Sequence, residues 1–282
     1  MLVVINYANE PYKSAQRYNT NSAYKVAKCD KVIEYGPENI DSHFFEQNKS
    51  ILEMPRGGGL WLWKPYIIYE TLKELKNGDY LLYCDSGSYF INSAKYLIDA
   101  LENSGQDILC FDLETKVEKS YTQPAAFEIM NCLGEEYTES SQRLATFIFC
   151  KKTNFTEKFF FEYLSYAQND KLIYDSAMEE NRKKYEYYVA HREDQSIYSL
   201  LTKKYNLKAY RNPSQWGNGR GIFTVLSKFM HRKLNSRPDN YPVIFISHRQ
   251  KSVTLKTKSF LYFQNLLPRS FDLVNNLRKN YR

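Results

Sequence analysis

The chain has 282 residues, 43% of them hydrophobic and 16% aromatic, enough for a packed core and for one large domain or a domain with an appendage. No stretch approaches the roughly 18 to 20 uncharged apolar residues of a membrane span. The opening MLVVINYANEPYK lacks the basic region and cleavage site of a secretory signal, so a soluble, cytoplasmic protein is expected. The net charge of +7 is unevenly spread: after residue 200 there are 17 Lys and Arg against two acids, a balance of +15, while residues 1–200 carry −8. A third this basic expects an anionic partner: a nucleotide, an anionic membrane face or a nucleic acid. The five cysteines are odd in number and scattered, with no CxxC pair, and read as reduced core residues.

Along the chain, LVVINY (2–7) reads as a short strand, followed by a loop and then a helix-compatible segment led by Ser22, Tyr24 and Val26. KVIEYG is a second strand, and DSHFFEQNKSIL a helix opened by Asp41 or Ser42 as its N-cap. Past the loop PRGGGL, the segment WLWKPYIIYETLKELKNG places Pro65 in a first helical turn and Gly78 just beyond the end. Its apolar Ile67, Ile68, Leu72 and Leu75 stand at helical spacing. DYLLYC is a buried strand, NSAKYLIDALENSG a helix and QDILCFDL another strand, an alternation that argues for a mostly parallel, doubly wound α/β sheet. Then come QPAAFEIMNCLG as a helix, LATFIFCKK as a strand and FTEKFFFEYLSYAQ as an amphipathic helix with a core-facing aromatic stripe. DQSIYSLLTKKYN is a helix with Asp194 at or near its N-cap, and PVIFISH a late strand. There is no internal repeat. One domain over residues 1–250 and a basic appendage over 251–282 are expected, the latter mixing Phe and Leu with Arg and Lys as a membrane-surface helix does.

Four segments carry candidate chemistry. NGDYLLYCDSG stops a buried run on Asp85, which either holds a ligand at the carboxyl edge of the sheet or serves as turn chemistry. In RGGGLWLWKP, three glycines permit close backbone approach, Arg56 and Lys64 flank them with positive charge, and Trp61 and Trp63 offer flat faces for a sugar or base. HREDQS packs four titratable groups at a helix mouth. Glu193 or Asp194 is either part of a plain N-cap with surface ion pairs, or a base on an acceptor hydroxyl or a stabiliser of charge on a sugar ring. FISHR ends a strand on His248, a candidate metal ligand, followed by Arg249 and Lys251, which can neutralise a leaving diphosphate.

In this order and over most of the chain, RGGGLWLWKPYII, GDYLLYCDSG, HREDQSIYSLL and FISHRQK resemble the bacterial GT-A-fold glycosyltransferases of capsule and lipopolysaccharide synthesis. The resemblance implies a Rossmann-like sheet and a divalent cation, Mn²⁺ or Mg²⁺, held against a nucleotide-sugar diphosphate. Asp85 matches the first acid of the Asp-x-Asp motif, whereas Gly87 stands where the second belongs. His248 resembles the late metal-ligating histidine of retaining members, and EDQ is similar both to their Asp-Gln element and to the Glu-Asp base of inverting ones. The nucleotide-sugar half is expected over 1–110 and the acceptor half over 111–250. Tyr7 would stack on the base, Arg17 or Arg56 with Lys64 and Arg249 would meet the diphosphate, and Glu193 or Asp194 would meet the reacting sugar. A UDP-hexose donor and a glycan or lipid-linked acceptor at the cytoplasmic membrane face follow by analogy, with nucleic acid not expected as a partner. Two alternatives stand beside this one. A sugar nucleotidyltransferase carries a glycine-rich loop after its first strand, but residues 7–20 contain no glycine. A non-catalytic basic module would bind RNA or anionic membrane without nucleotide or metal, and with steep salt dependence.

Overall fold

The structure, a computed structural model, describes residues 1–217 and 241–254. Its strands are β1 (Leu2–Tyr7), β2 (Lys31–Tyr35), β3 (Tyr80–Cys84), β4 (Ser88–Phe90), β5 (Ile108–Val117), β6 (Ser141–Lys151), β7 (Ala209–Tyr210) and β8 (Phe245–Ser247). The main sheet has six strands in the order β2-β1-β3-β6-β5-β7. β1 pairs in parallel with β2 and β3, and β5 with β7, while β6 runs antiparallel to both β3 and β5. The sheet is therefore mostly parallel, as expected, with β6 alone reversed.

The period-two alternation of the central strands distributes their side chains between two cores. Val3, Ile5, Leu81 and Tyr83 pack with Ile67, Ile68, Phe159 and Tyr198 from the helices Trp63–Glu74, Asn154–Ala167 and Glu193–Lys204. Leu2, Val4, Leu82 and Cys84 join Leu97, Leu101 and Phe245 on the other face. Both faces of β1 and β3 are covered, which is why these strands read as continuous apolar runs. All five cysteines are free and buried, as the sequence suggested.

Two elements differ from expectation. The first helix starts at Lys13, well before Ser22, because its buried face is built from Ala15, Gln16, Asn19 and Ser22. Gln16 donates to the Tyr35 carbonyl and Asn19 to that of Ser88, so hydrogen bonds satisfy a face that hydropathy does not reveal. The late strand β8 joins β4 in a separate two-stranded antiparallel sheet and not the main one. That pairing brings the chain after Ser247 to the end of β3: the amides of His248 and Arg249 both donate to the Gly87 carbonyl, at 2.8 and 2.9 Å. Among the described residues no helix is long and apolar enough to cross a membrane. The basic appendage lies outside the described residues from 255 onward.

Candidate active site

A cavity of about 790 Å³ opens at the carboxyl ends of β1 and β3, lined by residues from all four candidate segments. Ser86 fastens its rim by donating to the Tyr7 carbonyl at 2.7 Å, tying the two strand ends together.

Asp85 is not spent on the turn. The backbone makes that turn, Ser88 N–H donating to the Asp85 carbonyl at 3.1 Å, while the Asp85 carboxylate accepts from the Tyr83 hydroxyl at 2.5 Å. Tyr83 was missed as a site residue although the signal was present: residues two apart on a strand share a face. Lys64, projecting from the helix Trp63–Glu74, places its ammonium 3.9 Å from Asp85 Oδ1 and 2.8 Å from Asp194 Oδ2. Its side chain is 4% exposed. Burial opposes its charge, but the combined attraction of Asp194 and Asp85 outweighs it and holds the Lys64 pKa above the ordinary value.

The helix Glu193–Lys204 supplies the second acidic pair. Its N-cap position is Arg192, with no side-chain cap, so Asp194 lies near the cap, as expected, without serving as one. Asp194 sits one position inside the helix, 3% exposed, bonded to Lys64 and to the Tyr163 hydroxyl at 3.1 Å. Tyr163 belongs to the aromatic stripe read as core; it is core and also a partner of the site. Burial raises the pKa of both Glu193 and Asp194, against the pull of Arg56 on the first and Lys64 on the second. Glu193 starts its helix at φ +41°, an uncommon conformation for a non-glycine residue, and meets Arg56 Nε at 2.5 Å. Gln195 is fixed to β6 by donating to Gln142 at 2.8 Å and accepting from Ala145 N–H at 3.3 Å.

Arg56 is carried by an unusual turn. Gly57, Gly58, Gly59, Leu60 and Trp61 all have positive φ, five successive residues in the left-handed region. Gly59 is obligatory on steric grounds as well, since a Cβ there would lie 2.8 Å from Leu52 Cα. Trp61 lies under the Arg56 guanidinium at 5.7 Å. Trp63 is buried and stacks on Tyr7, ring centroids 3.8 Å apart and 11° from parallel, so one face of Tyr7 is already covered.

The remaining predicted residues separate. Arg249 lines the cavity; Arg17 does not, lying on the exposed face of a helix that buries Ala15, Gln16 and Asn19. His248 is 8% exposed and is not among the lining residues. Burial lowers its pKa to about 4, and its Nδ1 accepts from the Gln250 amide at 3.1 Å, which leaves the proton on Nε2. That Nε2 is buried and has no hydrogen-bond partner among the described residues. Arg192 and Tyr121, which also line the cavity, were not singled out; Arg192 stood in the HREDQS segment without a role of its own.

A divalent cation fits this site in part. Tyr83 and Lys64 both approach Asp85 Oδ1, leaving Oδ2 for a hard cation that takes its other ligands from phosphate and water. Among the described residues no group of three His, Cys, Asp or Glu forms a protein cage. At position 87, where the second acid is missing, a Cβ would lie 3.1 Å from Arg249 Cα, a tight contact that a shift of a few tenths of an ångström would ease.

No protein-family model matches the chain, and no curated protein matches it. Among solved structures it is similar to the bifunctional glycosyltransferase WbbM in its apo form, with TM-score 0.51 and 11% identity over 97% of this chain and 51% of that one. The galactosyltransferase LgtC in complex with donor and acceptor sugar analogues gives TM-score 0.49 and 13% identity over 94% and 96%. Mouse xyloside xylosyltransferase 1 gives 0.48 and 10% over 90% and 98%. The chain spans about half the length of the WbbM chain. With the sheet order above, the likeness to WbbM establishes a GT-A-type fold.

Proposed function

We propose that the protein is a glycosyltransferase that moves a sugar, with UDP-hexose the donor we favour, to a glycan or lipid-linked acceptor of a bacterial surface polysaccharide. The observation that carries this reading is the meeting of Asp85 and Asp194 on the buried ammonium of Lys64, at the carboxyl edge of parallel strands. Ligands of open α/β sheets bind at that edge. The fold is compatible with it, and the four segments that line the cavity are those on which the resemblance rested.

In this reading residues 1–110 hold the nucleotide, with the free face of Tyr7 against the base, and the rest of the domain to residue 250 presents the acceptor. Asp194, held by Lys64 and Tyr163, is a fixed carboxylate for charge developing on the sugar ring. Glu193 is the candidate base for the acceptor hydroxyl once Arg56, 64% exposed in its side chain, swings away. Asp85 would hold Mn²⁺ or Mg²⁺, which when bound neutralises diphosphate charge. The loop after β1 enters the cavity through Ala8, Asn9 and Tyr12 without a glycine, unlike a nucleotidyltransferase loop.

The test is a thermal-shift panel of nucleotide sugars with and without Mn²⁺, followed by assay of nucleotide release with candidate acceptors. UDP-hexose at 100 times its dissociation constant should stabilise the fold by about 2.7 kcal/mol. Asp85→Asn should keep the fold and lose the Mn²⁺-dependent part of that shift. No response to any nucleotide sugar would defeat the reading.

A further inference from the structure

Glu118 and Lys203 form a buried ion pair that the proposed chemistry does not use. Glu118, in the short helix Glu118–Tyr121 after β5, has no exposed surface, and Lys203 stands in the last turn of the helix Glu193–Lys204. Burial lowers the Lys203 pKa in spite of the attraction of Glu118, so desolvation outweighs the pairing. Well-packed apolar residues in place of such a pair are often neutral or stabilising, so stability alone does not account for it.

What the pair supplies is direction. A carboxylate only accepts hydrogen bonds. Glu118 Oε2 takes Lys203 and the Ser199 hydroxyl, while Oε1 takes the Thr122 hydroxyl at 2.6 Å and the side-chain nitrogen of Gln142, on β6, at 3.2 Å. The charge therefore decides which end of the Gln142 amide faces it. Nε2 turns to the carboxylate and to the Tyr121 carbonyl, also at 3.2 Å, and Oε1 turns away. That oxygen accepts from Gln195 Nε2 at 2.8 Å, and Gln195 Oε1 accepts from Ala145 N–H at 3.3 Å. Each amide is oriented by the group before it, starting from a fixed charge. Gln142 is fully buried, whereas Gln195 lines the cavity next to Asp194. An amide nitrogen carries two hydrogens, and the second one on Gln195 has no acceptor among the described residues. Ser199 and Lys203, which hold the carboxylate, stand on the same helix as Gln195, so the two ends of the relay are parts of one rigid element.

We propose that Glu118 is a positioning residue for the cavity: through Gln142 it orients the Gln195 amide so that an N–H, and not the carbonyl, is presented to the bound ligand. Resting on the glycosyl-transfer reading, the atom it meets is a hydroxyl or ring oxygen of the sugar.

The experiment follows the glutamine side-chain amides of the full chain by nuclear magnetic resonance with heavy-nitrogen labelling, the Gln195 signals being identified by their loss in Gln195→Glu. The variants are Glu118→Gln, which turns an acceptor-only group into one that can also donate, and the double substitution Glu118→Leu with Lys203→Met, which removes the pair without stranding either charge. Lys95→Gln, on an exposed helix, is the control. In both relay variants the Gln195 amide hydrogens should shift and exchange with solvent at least about tenfold faster than in wild type, while circular dichroism stays native. Turnover of UDP-glucose or UDP-galactose, read as sugar release to water, should lose at least about tenfold in kcat with UDP affinity within about twofold of wild type. Unchanged Gln195 signals in both variants would overturn the relay. Altered signals with unchanged turnover would overturn the contact with the ligand. Should the wild type turn over neither UDP-sugar, the donor reading fails and the amide signals alone decide the relay. Should the double variant not fold, Glu118→Gln carries the same comparison.

Discussion

At the residue scale the site turns on one buried ammonium and two carboxylates. Asp194→Asn removes the closer partner of Lys64 and leaves a 4%-exposed ammonium with Asp85 at 3.9 Å. Removing one member of a buried pair strands the other charge, so a loss of about 3 kcal/mol is expected in urea unfolding at neutral pH. A loss below about 0.5 kcal/mol would mean that Lys64 is solvated in solution. Lys64→Met acts in the opposite sense, since it leaves Asp85 and Asp194 without their shared cation. Like charges raise carboxyl pKa values, and a group raised in the folded state contributes stability at low pH that is lost as pH rises. This variant should therefore recover part of its deficit against wild type on going from pH 7 to pH 5; a constant deficit would argue against the triad. Asp85, Asp194 and Lys64 were each legible from the sequence as candidates. Their joining was not, because nothing in linear order shows that the helix after the tryptophans points its lysine at both acids.

At the scale of elements, the turn at residues 57–61 offers the cleanest contrast. A Cβ at Gly58 meets nothing within 4 Å, whereas one at Gly59 meets Leu52 Cα at 2.8 Å, and both residues have positive φ. Gly58→Ala should cost only the left-handed penalty of about 1 to 2 kcal/mol. Gly59→Ala adds a backbone clash and should cost distinctly more, which paired thermal denaturation curves will rank; equal shifts would show that the turn relaxes. The glycines were visible in the sequence as a place of close approach, but positive φ at Leu60 and Trp61 was not, since nothing local marks those residue types for it. The same limit explains the first helix, whose polar buried face has no apolar period. By contrast the helices Trp63–Glu74 and Asn154–Ala167 combine apolar spacing with end signals and were found where expected.

For the whole molecule, alternating strands and helices gave away the layered sheet. The reversal of β6 and the separate pairing of β8 with β4 stayed hidden, because strand periodicity carries no direction. The cores so formed enclose two histidines, and these set how the fold responds to acid. His191 is 3% exposed, with Nδ1 accepting from Gln123 N–H at 3.2 Å and Nε2 bonded to the Leu172 carbonyl at 2.9 Å. Burial lowers its pKa to about 3, and that of His248 to about 4. Both are neutral in the folded state at pH 7, whereas in the unfolded chain they titrate near 6.5. A folded pKa below the unfolded one means that the unfolded chain binds more protons in the window between them, so stability falls as pH falls. The loss should begin near pH 6.5, approach about 1.4 kcal/mol per pH unit for each histidine, and flatten once both folded values are passed. The raised carboxyls of Glu193 and Asp194 contribute in the other direction, favouring the fold at low pH. Unfolding free energies at pH 7, 6, 5 and 4.5 should therefore decline from pH 6.5 downward in wild type. His191→Gln keeps an amide donor for the Leu172 carbonyl and has no charge to gain, so it should lose about half of that slope; an unchanged slope would place the acid sensitivity outside His191.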